Sequence, residues 1–246
     1  LPIARKVEQL RKPEVRAAIL SEELKQDPGK PLAVHVRMFD KMFELGNPPE
    51  YEQPRDNSIA MRAERMGITP EELAYDLMLQ DDGRAQLYLA MGNTLDGNLD
   101  VPFAMLSDPV TVPGLGDGGA HCATICDASF STFMLQYYGR DRKRGTVMPL
   151  EQIVHKLTAA SAEVIGLLDR GIIAPGYKAD INVVDLEKLQ LHPPEVAYDL
   201  PAGGRRLIQR AEGYCATIVN GQPVYIDGKP TGKLPGRLIR GARTAP

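Results

Sequence analysis

The sequence predicts an α/β protein in which strand–helix units come first and β-structure comes last. Three observations carry this. Helix start signals and helical apolar spacing recur through the first part of the chain. Short apolar runs bounded by Gly or Pro stand between those helices. From Asp180 onward, β-branched runs separated by Gly and Asn turns take over.

Residues 3–26 read as helical, because Leu10, Val15, Ile19 and Leu24 recur at roughly helical spacing among charges. Pro13 opens a second helix there, at a first-turn position where its missing N–H leaves no bond unmade. Residues 32–39 form a short apolar run bounded by Gly29 and Pro31 and read as a strand. The polar, Pro-rich stretch 46–57 reads as a loop. Residues 58–66 and 70–80 read as two helices. In the second, Thr69 caps, Pro70 takes the first turn, and Glu71 and Glu72 sit near the positive end of the dipole. Residues 85–91 read as a strand, 92–97 as a turn and 99–106 as a short helix. Residues 111–115 read as a strand running into Gly116-Asp117-Gly118-Gly119.

Residues 130–138 read as helical. Pro149-Leu150-Glu151 opens a further helix carrying Ile153, Val154, Leu157 and Thr158, and residues 161–168 continue as a separate helix. Residues 181–184, 213–219 and 224–226 read as strands. Asn220-Gly221 between the last two is the strongest short hairpin signal in the chain. No internal repeat is present.

The bulk properties fit a globular protein of one large domain, or of one domain plus a small one. There are 23 glycines and 20 prolines among 246 residues, about 17% against an average near 12%, which points to many turns and irregular connections. With no Trp and 6% aromatics, the core is built from Leu, Ile, Val, Ala and Met. The net charge of −3 lacks the clustered Lys and Arg of a nucleic-acid footprint. The one dense basic run, Arg-Asp-Arg-Lys-Arg at 140–144, is interrupted by an acid and reads as a solvated loop. No apolar run approaches the roughly 18 residues of a membrane span, so no membrane partner is expected. Three cysteines and no targeting pattern fit a reducing cytoplasm without a disulfide framework. Cys122 and Cys126 are four apart, but no second Cys or His pair follows to complete a structural zinc site. The first residue is Leu1, not Met, and the expectation is a fragment, a processed product or a gene piece.

The segment from Val112 to His121 carries the chemistry. An Asp at the end of an apolar strand and wrapped in glycines is an unusual setting for a surface carboxylate. Glycines let the backbone approach a neighbour closely and take positive φ. Such an Asp can bind a metal or take a proton from metal-bound water. On the local pattern alone, Asp-Gly is a common pair and reads first as a turn Asp bonding nearby amides.

Further along stand Lys156-Leu157-Thr158-Ala159-Ala160-Ser161-Ala162, then Gly166 through Arg170-Gly171, Pro175-Gly176 and Ala179-Asp180, then Val219-Asn220-Gly221. The chain ends with Asp227-Gly228, Thr231-Gly232 and Pro235-Gly236-Arg237. In this order and spacing the motifs resemble the closing half of the amidohydrolase superfamily, over roughly residues 111–240. The last of them is similar to the C-terminus of the N-acyl-D-amino-acid deacylase, or D-aminoacylase, branch. The first 110 residues are less diagnostic, although residues 1–16 are also similar to a stretch that follows the sixth and seventh barrel strands in that branch.

The resemblance implies a fold made of the later strands and helices of a TIM-type (β/α)8 barrel, residues 1–178. Part of a small β-sandwich and the C-terminal tail follow over residues 179–246. It implies one or two zinc ions at the barrel mouth, with Asp117 binding or facing the metal and carrying a proton from the attacking water to the leaving amine. Zinc lowers the pKa of bound water toward ~7, which makes such a shuttle workable at neutral pH. His121, four residues on, is implied at the barrel mouth as a substrate contact, with assistance to the metal open beside it. Arg140 suits a substrate carboxylate through a two-pronged hydrogen bond. A loop or salt-bridge role stands open beside that for both Arg140 and Asp127.

The family's other metal ligands, a His-x-His and further His from earlier strands, are not in this sequence. Of its four histidines, His35, His155 and His192 read as structural. The expected partners are therefore a small-molecule amide substrate and a missing N-terminal portion of the same protein, with homo-oligomerisation open. Two alternatives stand beside deacylation. One is hydrolysis of another cyclic amide or imide, or deamination, within the superfamily. The other is a non-catalytic fragment or interaction module.

Overall fold

A computed structural model describes residues 2–22, 36–94, 97–114, 116, 122–123 and 126–246. The chain divides into two compact units, Leu1–Val101 and Pro102–Pro246.

In the first unit, helices α1 (Ile3–Leu10) and α2 (Pro13–Ser21) form as the charge and apolar spacing require, with Pro13 in the opening turn. Strand β1 (Met42–Glu44) follows, then α3 (Ile59–Met66), α4 (Pro70–Met78) and strand β2 (Leu87–Leu89). Ser58 caps α3 by accepting from the Met61 N–H, and Gly67 ends it in the left-handed conformation at φ 68°. Thr69 and Glu72 make a reciprocal cap on α4. The Thr69 hydroxyl accepts from the Glu72 N–H at 3.2 Å, and the Glu72 carboxylate accepts from the Thr69 N–H at 2.8 Å. These caps orient the apolar faces inward. Met42, Ile59, Ala63, Leu73, Ala74 and Leu77 form the core, flanked by Phe39, Ile68, Leu87 and Leu89. Strands β1 and β2 pair antiparallel, Phe43 opposite Tyr88. The helical pair is pinned to α4 by the Tyr75 hydroxyl, which donates to the Leu10 carbonyl at 2.6 Å, and by Arg16, which grips Asp76 at 3.0 and 2.9 Å.

The second unit begins inside α5 (Asp100–Ser107), where Pro102 sits in the first turn. Helix α6 (Phe130–Phe133) runs directly into a π-helical stretch, Met134–Asp141. Then α7 (Leu150–His155), a second π-helical stretch at Lys156–Ala160 and α8 (Ser161–Val164) form one unbroken run. Two hydroxyls accompany its wide turns. Thr158 donates to the Val154 carbonyl at 2.6 Å and Ser161 to the Lys156 carbonyl at 2.7 Å. The expected break at Ser161 is therefore absent. Met134, Tyr137, Tyr138, Met148, Ile153 and Leu189 are buried. Phe133 stacks on Tyr137 at 4.9 Å, and Arg142 lies over the Phe103 ring at 4.9 Å.

The β-rich part follows: β3 (Ile181–Val184), β4 (Gln190–Leu191), β5 (Glu195–Leu200), β6 (Gly204–Ile208), β7 (Ala211–Glu212), β8 (Tyr214–Val219), β9 (Gln222–Ile226) and β10 (Lys229–Pro230). One sheet has the order β10-β9-β8-β3; β4 pairs β7 and β5 pairs β6. Asn220 and Gly221 turn β8 into β9 with φ of 50° and 74°, as a two-residue hairpin requires.

The mixed helix-and-sheet class is as the sequence predicts, but the described residues form no barrel. Among the described residues every strand ladder is antiparallel, and residues 111–114 take no strand partner. Parallel strands hold only beside parallel neighbours reached by a crossover. Here β1 and β2 meet each other head to tail instead. The strand expected over 32–39 lies outside the described residues up to 35; residues 36–37 form a tight helical turn, and the strand comes later, at β1. The sandwich expectation is not confirmed either. The residues of the four-stranded sheet are half-buried or exposed, and the Tyr214 hydroxyl on β8 bonds Thr132 of α6 at 2.8 Å.

Candidate functional site

Asp117 and His121 lie outside the described residues, as does His35. The chain on either side of 117–121 is tied down. Gly116 packs so closely that a Cβ there would stand 2.7 Å from Ala128 Cα and 3.1 Å from the Asp127 carbonyl oxygen. Any larger residue would push the segment off the start of α6. The Cys122 carbonyl accepts from the Leu207 N–H of β6 at 2.7 Å. Asp127 is exposed, and its carbonyl accepts from the Phe130 N–H at 3.0 Å. Burial, with the nearby Asp127 charge second, pushes the Cys126 thiol above its ordinary pKa, so it is not primed as a thiolate.

Arg140 is placed in full. Its Nε and one Nη grip the neighbouring Asp141 carboxylate at 2.5 and 2.8 Å. The remaining N–H groups donate to the carbonyls of Leu186, of Glu187 at 3.2 Å and of Leu189 at 2.8 Å. All five guanidinium donors are thus engaged. Hydrogen bonds from Arg140, then from Gln136, hold the Asp141 carboxyl below the usual carboxylate range, and the same pair raises Arg140. Through these bonds Arg140 ties itself to the 186–189 segment, whose Leu189 is buried.

The other histidines stand apart from one another. His155 is exposed at the end of α7, and His192 Nε2 lies 3.2 Å from Glu212 Oε1 in the β4–β7 region. Among the described residues no group of three His, Cys, Asp or Glu side chains could hold a metal ion. The described residues do not fit a zinc site by themselves. No helix of the described residues is long and apolar enough to cross a membrane.

Sequence reading passed over one buried cation. Lys156 is 4% exposed, inside the helical run. The signal was its spacing: it falls three residues after the fully buried Ile153, on the inward face.

Comparison with known proteins defines the class. The amidohydrolase family matches residues 66–225, a span that holds Asp117, the Arg170-Gly171 motif and the Asn220-Gly221 hairpin. The chain belongs to the amidohydrolase family, and it resembles that family's D-aminoacylase-like branch. It is 31% identical over 180 residues to a D-aminoacylase from Alcaligenes xylosoxydans xylosoxydans, covering 72% of this chain and 30% of that protein. It is 32% identical over 102 residues to an N-acyl-D-glutamate deacylase from the same organism, 42% of this chain and 19% of the other. A dihydroorotase from Lactobacillus johnsonii is 37% identical over 174 residues, 65% of this chain and 37% of that protein. The chain therefore matches only 19% to 37% of these relatives' length. No solved structure matches it significantly.

Proposed function

We propose that the chain is the closing portion of a metal-dependent amidohydrolase that hydrolyses a C–N amide bond other than a peptide bond. N-acyl-D-amino acids are the first substrate class to test. The family match over residues 66–225, with Asp117 inside it, carries this reading. In it, Asp117 accepts a proton from the attacking water as its oxygen bonds the carbonyl carbon. The same carboxyl then gives the proton to the amide nitrogen as the C–N bond breaks. His121 contacts the substrate. The cofactor is zinc, with its ligands other than Asp117 supplied from outside this chain. In the full-length protein residues 1–178 belong with a barrel and 179–246 with a β-sandwich, and the site is cytoplasmic.

The likeness to a dihydroorotase over 174 residues favours a second reading, hydrolysis of a cyclic amide. A panel of N-acyl-D-amino acids and cyclic amides, assayed with the full-length protein before and after zinc addition, separates the two. Turnover on neither class, with no zinc bound, refutes the enzyme reading. Asp117→Asn is expected to lower kcat at least ~100-fold while the protein stays folded, since a positioned acid–base group contributes about 10²–10⁴-fold. Unchanged turnover would remove Asp117 from the role.

A further inference from the structure

Several motif residues that the hydrolytic reading leaves unused meet in one cleft of the second unit. The cavity has a volume of about 430 Å³, and its lining includes Asp169, Arg170, Lys178, Asp180, Arg237 and Arg243. Val219 and Ile239 give it an apolar wall. The C-terminal tail forms one side and is fastened by its backbone. The Arg243 N–H donates to the Gly166 carbonyl at 2.7 Å, and the Leu168 N–H donates to the Arg243 carbonyl at 3.0 Å. A Cβ on Gly176 would stand 2.7 Å from Pro246 Cβ, so the end of the tail lies against that loop too.

The two carboxylates of the cleft already have donors. Arg170 Nε donates to Asp169 at 2.9 Å and Arg170 Nη1 to Asp180 at 3.3 Å. The other Asp180 oxygen accepts from the Asn220 N–H at 2.8 Å. Lys178 acts on the Asp169 charge from nearby. Arg237 and Arg243 differ: among the described residues neither guanidinium has a hydrogen bond or an ion pair. Four cations thus face two carboxylates, in a chain whose net charge is −3. Guanidinium forks match the oxygens of an anion through paired, charge-assisted bonds. The positive excess of the lining is that of a dianion's counter-charge, which a phosphate group fits and a single carboxylate does not. The apolar wall leaves a surface for an organic group beside it.

We propose that this cleft binds the phosphate group of a small molecule, with Arg237 and Arg243 donating to its oxygens. Binding here needs no hydrolysis, so it stands apart from the reading of Asp117.

The test is calorimetric titration of the full-length protein at low ionic strength with phenyl phosphate, inorganic phosphate and benzoate. Phenyl phosphate is expected to bind with a Kd of about 1 mM or tighter. Arg237→Gln and Arg243→Gln are each expected to weaken it at least ~tenfold, the share of one charge-assisted pair. Lys233→Gln removes the same charge from the same tail outside the lining, and is expected to change the Kd less than about twofold. No binding by the wild-type protein up to about 10 mM overturns the proposal. Equal weakening by all three substitutions also overturns it, in favour of diffuse surface charge. Benzoate bound as tightly as phenyl phosphate overturns the choice of phosphate. Tighter binding of phenyl phosphate than of inorganic phosphate assigns an ester as the ligand, and equal affinities assign the free ion. Hydrogen exchange locates the site: the amides of 166–170 and 235–243 are expected to slow when phenyl phosphate binds. Slowing confined to other segments overturns the placement in this cleft.

Discussion

Arg140→Met removes five hydrogen-bond donors while keeping most of the side-chain length. In the structure those donors hold the carbonyls of Leu186, Glu187 and Leu189 and the Asp141 carboxylate. Each carbonyl bond contributes about 1 kcal/mol net, set low in the range for a charged donor because the Arg140 side chain is 28% exposed. The Asp141 side chain is 36% exposed, so solvent screening keeps the ion pair's share under about 1 kcal/mol. The expected loss is therefore about 3–4 kcal/mol from the second unit, which at 1.4 kcal/mol per decade is more than a hundredfold in its unfolding equilibrium. Urea unfolding followed by tyrosine fluorescence measures it cleanly, since the chain has nine Tyr and no Trp. A loss under about 0.5 kcal/mol, the scatter of an ordinary surface substitution, would refute the clamp. Unchanged stability together with a raised KM would return Arg140 to the substrate. The pair also sets a pH dependence. Because the Asp141 carboxyl is held below its ordinary range in the folded state, its stabilisation is complete above that range and is lost as pH falls through the lowered value. Arg140→Met should weaken that acid-side slope, the bond from Gln136 holding what is left.

Two further outcomes follow from local geometry. Gly171 has φ 84°, and a Cβ there would stand 2.8 Å from the Ala159 backbone; Gly221 has φ 74° and open space around it. Gly171→Ala is expected to cost more than about 2 kcal/mol in thermal unfolding against about 1 kcal/mol for Gly221→Ala, and equal costs would refute the close packing. At the α4 cap, the Thr69 N–H and then the Thr69 hydroxyl hold the Glu72 carboxyl below its ordinary range. Protection of the α4 amides should therefore be full above that range and fall as pH drops through the lowered value. Glu72→Gln should abolish that dependence, and a dependence left intact would show that the cap is not its source.

Local signals in the sequence were followed closely wherever neighbouring residues decide the outcome. Thr69-Pro70-Glu71-Glu72 starts a helix because its cap is complete within four residues. Asn220-Gly221 turns a hairpin because positive φ at both positions is a property of those residues. The strand pairings of the first unit were not legible. Two three-residue strands carry no mark of direction, and the choice between parallel and antiparallel depends on which partner lies beside them. The hairpin of β5 and β6 was also passed over. Its turn runs through Ala202 at φ 59°, a conformation that composition does not announce.

Ordered motifs gave the family, because residues set at fixed spacing are a one-dimensional signal. Only the tertiary structure decided which groups Arg140 and Lys156 bond. Both are cations on helical runs, alike in sequence. One is spent on a loop about 46 to 49 residues away and the other on a turn about 45 to 48 residues away. Which carbonyl a guanidinium or ammonium meets is set by the packing of distant segments, and no local pattern encodes it.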